Sequence, residues 1–320
     1  MTTLLNLLIA ALSQGMLYAP MALGVFVTFR ILKTPDLTVD GSFVFGMTVC
    51  AAVTIVGYPV AALLCGALAG ALAGFCTALL QTKARLEPIL SGILVSTGLY
   101  TINYAVLGGQ SNLYLQREVV NAQGAAVNES CQTVYRMFGK LVKGMGGLMK
   151  DANTQTLLLT LVMVAVLTAV LAVFFFTRPG MAIRATGDNE EMVRSSSINA
   201  DRMRTCGVML ANALVAFSGA LLCQQQRYAD MNCGNGMLVM GLASVIIGQV
   251  LGGRRGVVAG LLCAVGGSLV YRVVLQLAYR MDMPSYYVKL LSTLIVILAL
   301  TLPRLRGVMA KQARKGGTPA

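Results

Sequence analysis

Two aspartates and two hydroxyl side chains lie in the stretch LKTPDLTVDGSF, residues 32–43, directly before a short apolar run. On a helix Asp36 and Asp40 would share a face, and in an extended segment Thr38 would join them. Together with Ser42, these side chains are candidates for contact with a polar solute at the mouth of the apolar segment. The alternative is an ordinary loop that caps that segment, and the sequence leaves both interpretations open.

A second group of ionisable residues forms a charged insert, Thr177–Arg204, which holds five Arg and four acidic residues between two apolar segments. Asp188 followed by Glu191 has the spacing of a helix N-cap with a capping box, and acidic residues favour a first turn. This spacing predicts a helix over Asn189–Ile198, with Asn199 as its terminator. A simple connection needs roughly two to eight residues, so the longer insert suggests a rigid docking helix for a soluble cytoplasmic partner; a solvated surface helix is the alternative. The candidate docking residues are Asp188, Asn189, Glu190, Glu191, Met192, Val193 and Arg194.

Several kinds of chemistry are excluded by missing residues. The chain has no His, which removes imidazole acid–base mechanisms, the Ser–His pair of hydrolases and most zinc sites. It has no GxxxxGK[ST] loop to hold ATP phosphates, and the glycine-rich stretch GQVLGGRRGV is typical of a tight turn. We therefore expect a chain that binds no metal or cofactor and catalyses no reaction itself.

The elements that must position these residues are membrane-spanning helices. Of the 320 residues, 57% are hydrophobic and 12% charged, and the mean hydropathy is +0.74, which is too apolar for a soluble domain. A span needs about 20 apolar residues, and the sequence predicts an all-α polytopic membrane protein with about nine spans, within a range of about eight to ten. The predicted spans are Leu4–Phe29, Phe43–Val56, Pro59–Leu80, Pro88–Leu107, Thr154–Phe176, Cys206–Cys223, Met237–Leu251, Val257–Leu277 and Tyr287–Leu302.

The distribution of Lys and Arg predicts the orientation. With the charged insert in the cytoplasm, 16 of the 25 Lys and Arg residues lie on the cytoplasmic side, as membrane topology favours. Residues 1–320 then form a single membrane domain with an extracytoplasmic loop at 108–152, the insert at 178–204 inside and a basic cytoplasmic tail at 304–320. The basic residues cluster at span ends and lack interleaved aromatics, which argues against nucleic acid as a partner.

Few polar residues fall within the predicted spans. Amide side chains at such positions either hydrogen-bond to a neighbouring helix or line a pathway. The four amides are Asn103, Asn212, Gln249 and Gln276. Arg272 lies about two turns from a span end, so it could snorkel outward, pair with Asp282 or Asp230, or line a pathway.

Small and thiol-bearing side chains suggest two further contacts. Gly66, Gly70 and Gly74 form a small-residue face that favours either tight internal packing or a subunit interface. Cys131 and Cys233 both fall in segments that we place outside the membrane. A disulfide between them is an open alternative, because spacing in sequence does not establish proximity.

Four stretches carry a family resemblance. They are IRATGDNEEMVRSSSINADRMR (Ile183–Arg204), ANALVAFSGALLCQQQ (Ala211–Gln226), SQGMLYAPMALGVFVTFRIL, and GLASVIIGQVLGG (Gly241–Gly253). Together they resemble the permease subunits of ABC importers, in the branch that contains branched-chain amino acid and ribose permeases. DLTVDGSF with RATGDNEEM is most similar to permeases that are paired with tryptophan/tyrosine-type binding lipoproteins. The family typically has Leu-Gly-Ile where this chain has Ser196, Ser197 and Ile198.

This resemblance implies a set of partners. The docking helix would be a coupling helix held in a groove of a cytoplasmic ATPase subunit, and ATP with Mg²⁺ would bind to that subunit. The resemblance also implies an extracytoplasmic substrate-binding lipoprotein and a second permease copy, which a single type of permease would supply as a homodimer. The protein would lie in a bacterial cytoplasmic (inner) membrane with its C-terminus in the cytoplasm.

The resemblance also implies a role in import. The chain would form the translocation pathway for a small solute, and the branch favours an amino acid, in particular an aromatic one. The stretch around Asp36 would lead into a span that borders this pathway, and the amides Asn103 and Asn212 are added as candidate pathway residues. Two other classes remain as alternatives: an ion- or proton-coupled secondary transporter of a small polar solute, and a non-transporting membrane scaffold.

Overall fold

The computed structural model of the chain describes residues 2–120, 126–142, 152–252 and 256–280, together with positions 287, 290, 293, 294, 297 and 301. Most of the described residues are helical, and the strands are short. The helices are α1 (Thr2–Phe26, continued by one π-helical turn, Val27–Ile31), α2 (Val39–Val56), α3 (Pro59–Thr82), α4 (Pro88–Val106), α5 (Val134–Val142), α6 (Ala152–Phe176), α7 (Arg178–Asp188), α8 (Glu190–Ser195), α9 (Ala200–Gln226), α10 (Met237–Gly252) and α11 (Gly256–Arg280). The strands are β1 (Asn112–Tyr114), β2 (Gln116–Val120), β3 (Ala126–Ser130) and β4 (Tyr228–Asp230), and a 3-10 turn covers Met231–Gly234.

The all-α polytopic prediction is confirmed. The described part of the chain contains eight helical segments that are long and apolar enough to cross a membrane, and each overlaps a predicted span. They are Leu7–Ile31, Val39–Val56, Pro59–Thr82, Pro88–Val106, Asn153–Phe176, Ala200–Gln226, Met231–Gly252 and Gly256–Ala278. The predicted ninth span, Tyr287–Leu302, lies mostly outside the described residues, as do Arg254, Arg255, Asp282 and the predicted tail at 304–320.

The loops separate into two ends of the helical bundle. At one end, which we call the insert end, the Lys33 ammonium lies 2.6 Å from a carboxylate oxygen of Asp188. At the other, which we call the sheet end, β1 pairs antiparallel with β4 and β2 pairs antiparallel with β3. β1, β2, β3 and α5 lie within the loop predicted at 108–152, whereas β4 follows α9. The sequence did not predict any of these elements. The internal grouping of the loops matches the alternation that the Lys and Arg distribution predicts.

α9 lies at the centre of the bundle, because small residues on its neighbours let it approach closely. A Cβ built at Gly74 of α3 would lie 2.7 Å from the Val208 carbonyl oxygen, and one at Gly66 would lie 2.9 Å from the Ala220 Cβ. Gly70, between them, faces Asn212 and Ala216 of the same helix. The small-residue face therefore packs inside the subunit against α9, and is not a subunit interface.

The chain between α9 and α10 returns into the bundle before α10 begins. The Asp230 amide nitrogen lies 3.4 Å from the Met47 sulfur of α2, and a Cβ at Gly234 would be 2.5 Å from the Asp40 carbonyl oxygen. Gly236 has φ +88°, a left-handed conformation that glycine adopts without strain. A few residues later Gly241 packs on Val25, well inside the first span. The seventh candidate span is therefore discontinuous, as in segments that line a cavity.

Candidate functional site

The charged insert folds as two helices, α7 and α8. α8 lies within the helix predicted over Asn189–Ile198 but is shorter, and α7 was not predicted. The N-cap of α8 is Asn189, whose side-chain oxygen accepts a hydrogen bond from the Met192 amide at 3.0 Å. Asp188 is not the cap, because it ends α7 and its carboxylate is paired with Lys33. An N-cap needs extended backbone, and Asn189 has it at φ −154°.

The residue predicted to terminate the docking helix instead begins the next one. The side-chain oxygen of Asn199 accepts a hydrogen bond from the Arg202 amide at 3.1 Å and caps α9. α8 ends earlier, in a Schellman motif: the Ser197 amide donates to the Arg194 carbonyl at 3.2 Å, and the Ile198 amide to the Val193 carbonyl at 3.3 Å. Ser197 has φ +61°, the position where the resembled family carries Gly.

Ion pairs fasten α8 to the start of α9. Arg194 lies 2.8 Å from Glu190 and 2.7 Å from Asp201, and Glu190 also pairs with Arg204. The hydrogen bond from Arg194 lowers the pKa of the Glu190 carboxyl below its ordinary value, against partial burial that raises it, and the nearby positive charges lower it further. Because all four groups are partly exposed, each pair contributes little alone, but the network fixes the direction of α8.

The insert presents an apolar surface to solvent. Val193 is buried and anchors α8 against the bundle, whereas Met192 is 59% exposed. Two further apolar side chains, Met181 and Ile198, are also exposed at this end. Glu191, next to Met192, is exposed and free of the ion pairs above. This capped helix, with Met192 and Glu191 exposed, is therefore the candidate contact surface for a protein partner.

Four of the predicted pathway residues form one buried cluster with Thr77, which we call the Asn212 cluster. The Asn212 amide nitrogen donates to Asp36 at 2.7 Å, and the Ser42 hydroxyl donates to the Asn212 side-chain oxygen at 2.5 Å. The Thr38 amide donates to Asp36 at 2.9 Å, and the Thr38 and Thr77 hydroxyls lie 2.8 Å apart. Every member is at most 1% exposed, so these polar groups hold the segment before α2 against α3 and α9.

The other two predicted residues border a small cleft. Asp40 accepts hydrogen bonds from the Leu238 amide at 2.8 Å and the Gly236 amide at 3.3 Å, so it caps the interior N-terminus of α10. Asn103 donates to the Gly41 carbonyl at 3.4 Å and accepts from Thr48 at 3.3 Å. Both line a cavity of about 60 Å³, together with Ser96, Tyr100 and Asn235.

A polar stripe on α4 continues from this cleft and was missed in the sequence. Thr97, Tyr100, Thr101 and Tyr104 are all exposed, and their spacing places them on one side of the helix. Tyr100 is 58% exposed and also lines the cleft. The Thr97 hydroxyl donates to the Ile93 carbonyl at 2.8 Å, and polar side chains in spans typically face the bundle interior or a water-filled cavity. The signal in the sequence was the spacing of these hydroxyl-bearing residues by three and four positions, which places them on one side of a helix.

Gln249 lines a cavity of about 280 Å³ at the insert end beside the basic Arg30 and Lys33. Arg272 does not pair with Asp230; its guanidinium lies 3.5 Å from the centre of the Tyr18 ring. Gln276 lines the same cavity as Arg272.

No cluster of metal ligands was found within the described ranges: no three His, Cys, Asp or Glu side chains come close enough to hold an ion. None of the eight Cys residues, all of which lie in the described ranges, forms a disulfide, and this includes Cys131 and Cys233. Both of these are partly buried at the sheet end, and the disulfide that the sequence left open is not formed.

The discontinuous span, the polar cleft and the capped insert together define a multi-pass membrane protein of the transport class. The family model described as "Branched-chain amino acid transport system / permease component" matches residues 7–300. The chain therefore belongs to this family of permease components of ABC import systems.

The names of individual relatives mention different solutes. The tyrosine transport system permease protein of Clostridioides difficile is 31% identical over 91% of this chain and 89% of its own length. The ribose import permease protein RbsC of Escherichia coli is 24% identical, over 92% and 84%. The fructose import permease protein FrcC of Rhizobium meliloti is 25% identical, over 83% and 69%. No solved structure matches the chain.

Proposed function

We propose that this chain is the membrane subunit of an ATP-driven importer, and that it forms the pathway for an amino acid delivered by an extracytoplasmic binding protein. The tyrosine permease relative supports an amino acid, in particular an aromatic one, as the solute. The subunit itself binds no cofactor and catalyses no reaction; ATP and Mg²⁺ would be bound by a partner ATPase. The cytoplasmic membrane of a bacterium is the corresponding location, with the insert end and the C-terminus inside.

The observation that carries this proposal is the construction of the insert. α8 is fixed by its Asn189 cap and by the Glu190–Arg194 pair, and it leaves Met192 exposed where nothing in the described chain covers it. An exposed apolar side chain between charges is typical of the centre of a protein interface. Lys33 links the insert to the end of α1, so movement of α8 would reach the spans directly.

The α4 stripe and the cleft at Asp40 suggest where the solute passes. A second copy of the chain that placed its own α4 against this stripe would enclose a weakly polar pathway between the subunits, as a homodimer. In this arrangement Asp40, which is partly exposed, borders the pathway directly, whereas Asn103 is 1% exposed and supports the cleft from behind. The buried members of the Asn212 cluster would act indirectly, by holding the segment before α2 in place.

The proposal is tested by purification of the full chain from its native cells. Met192→Asp should reduce the copurified ATPase at least tenfold, measured as ATP hydrolysis with identification by mass spectrometry, because it removes an apolar contact and adds a charge. Met137→Asp makes the same change at an exposed position of the sheet end and should leave the yield of ATPase unchanged. A wild-type chain that recruits no ATPase, or equal recruitment by both variants, would contradict the proposal.

One observation favours a second function, an ion- or proton-coupled secondary transporter. Asp36 is a carboxyl group buried inside the bundle, and buried carboxyls in membrane transporters commonly bind the coupling ion. Its two oxygens, however, are occupied by the Asn212 side chain and the Thr38 amide. Uptake that required an ion gradient and persisted without ATP would favour this alternative.

A further inference from the structure

A separate cavity of about 360 Å³ lies between α1, α6, α9 and α11, and it shares no lining residue with the cleft at Asp40. Its size is within the range of small-molecule sites. Five amide side chains line it: Gln14, Asn153, Gln225, Gln226 and Gln276. Asn153 begins its span and Gln226 ends α9, so the mouth of the cavity is at the sheet end.

Arg272 and Tyr18 form the deeper part of this cavity. The guanidinium lies 3.5 Å from the Tyr18 ring centre, and one nitrogen lies 3.8 Å from the Met240 sulfur of α10. Tyr18 is eleven residues into the first candidate span from Leu7, or about 16 Å along a helix. Arg272 is therefore directed inward and does not snorkel to the surface.

The charge of Arg272 is not balanced by a carboxylate within the described ranges of the chain, whose ion pairs all lie at the insert end. The Tyr18 ring attracts the guanidinium only partly. A cation at this depth without an anion is costly, and charged groups inside spans are typically functional. A carboxylate or phosphate group that fits the cavity would balance this charge.

The cavity also offers neutral acceptors, because the amide side chains of Gln14, Asn153, Gln226 and Gln276 line it. The side-chain oxygen of Gln225 is not among them, since it is closed off from the cavity. The cavity therefore combines one cation with several amide oxygens. An α-amino acid supplies a carboxylate for the cation and an ammonium group for the amide oxygens.

We propose that this cavity binds a zwitterionic α-amino acid from the sheet end. The carboxylate would accept hydrogen bonds from Arg272, and the ammonium group would donate to the amide oxygens that line the cavity, while Tyr18 and Leu275 leave an apolar wall for the side chain. A phospholipid phosphate is the competing anion, but it would have to leave the headgroup level to reach Arg272. The site does not depend on the coupling of the chain to an ATPase.

Binding to the purified full chain, without ATPase or binding protein, tests this proposal. The probes are radiolabelled L-tyrosine, L-leucine and L-alanine, each compared with the corresponding amine that lacks the carboxylate. At least one amino acid should bind, and its amine should bind at least tenfold more weakly. Arg272→Met should weaken amino acid binding at least tenfold, which is about 1.4 kcal/mol, and Arg272→Lys should retain part of it.

The matched control is Arg117→Met, the same substitution in a different cavity of the sheet end; its binding should equal that of the wild type. If no amino acid binds, if the amines bind equally well, or if both Met variants behave alike, the proposal is wrong. Phosphatidylglycerol retained by the wild type and lost in Arg272→Met, without amino acid binding, would assign the charge to a lipid and overturn the proposal. Failure of ATPase recruitment would leave these binding results unaffected, so the two proposals fail separately.

Discussion

Replacement of Gly74 by Ala should destabilise the bundle, because α3 and α9 approach most closely along this glycine face. The new Cβ would lie 2.7 Å from the Val208 carbonyl oxygen and 3.0 Å from the Asn212 Cβ. Carbon atoms pack best at about 3.5–4.0 Å, so the helices must separate by roughly 0.5–1 Å. Forced overpacking of this kind costs about 1–3 kcal/mol. We expect a cost near the upper end of this range, since backbone atoms must move.

The control is Gly266→Ala in α11, where a Cβ meets no heavy atom of the described residues within 4 Å. Both substitutions gain the same helix propensity, up to about 1 kcal/mol, so the difference between the two variants isolates the steric cost. Equilibrium unfolding of the purified chain in mixed SDS micelles, followed by tyrosine fluorescence, measures it. Equal stability of the two variants would refute the packing of α3 on α9 described above.

Two further predictions concern the insert. Ser197→Gly should stabilise the end of α8 by about 0.5–1 kcal/mol, since Gly adopts φ +61° without the steric cost that other residues have there. Proteolysis of the insert should therefore be slower in this variant than in the wild type. Ser195→Gly, a substitution within the helix, is the control and should make proteolysis faster. The lowered pKa of Glu190 means that its stabilising contribution is present above its ordinary value of 4.5 and is lost as pH falls through the lowered folded pKa. Amide exchange in α8 should therefore be faster in Glu190→Gln than in the wild type at pH 7, by the equivalent of about 0.5–1 kcal/mol, and the two should converge in acid. A constant difference across this pH range would contradict the ion-pair explanation.

The spans were predictable because their length and apolarity depend on local composition alone. The predicted span at Met237–Leu251 is short, and the structure shows why: Gly236 breaks the helix beside Asp40. The missed helix Arg178–Asp188 has no regular apolar period, and Gly187 within it disfavours a helix prediction. That glycine is needed because it contacts the Ile31 carbonyl at the end of the first span.

The candidate site was predicted in its residue types but not in its arrangement. Asp36 and Asn212 are 176 positions apart, and nothing in a single sequence indicates that they form a hydrogen bond. The cap of α8 was placed one residue early, because Asp188 and Asn189 are both good caps and only the backbone decides between them. Arg272 was recognised as unusual, but its contacts, Tyr18 of α1 and Met240 of α10, are distant in sequence and required the fold.

Uptake of radiolabelled L-tyrosine into vesicles that contain the chain with its copurified partners tests the central claim most directly. The account predicts uptake that requires ATP on the insert side, continues when ionophores collapse all ion gradients, and falls at least tenfold with Met192→Asp. Uptake driven by an ion gradient in the absence of ATP, unaffected by that substitution, would contradict it.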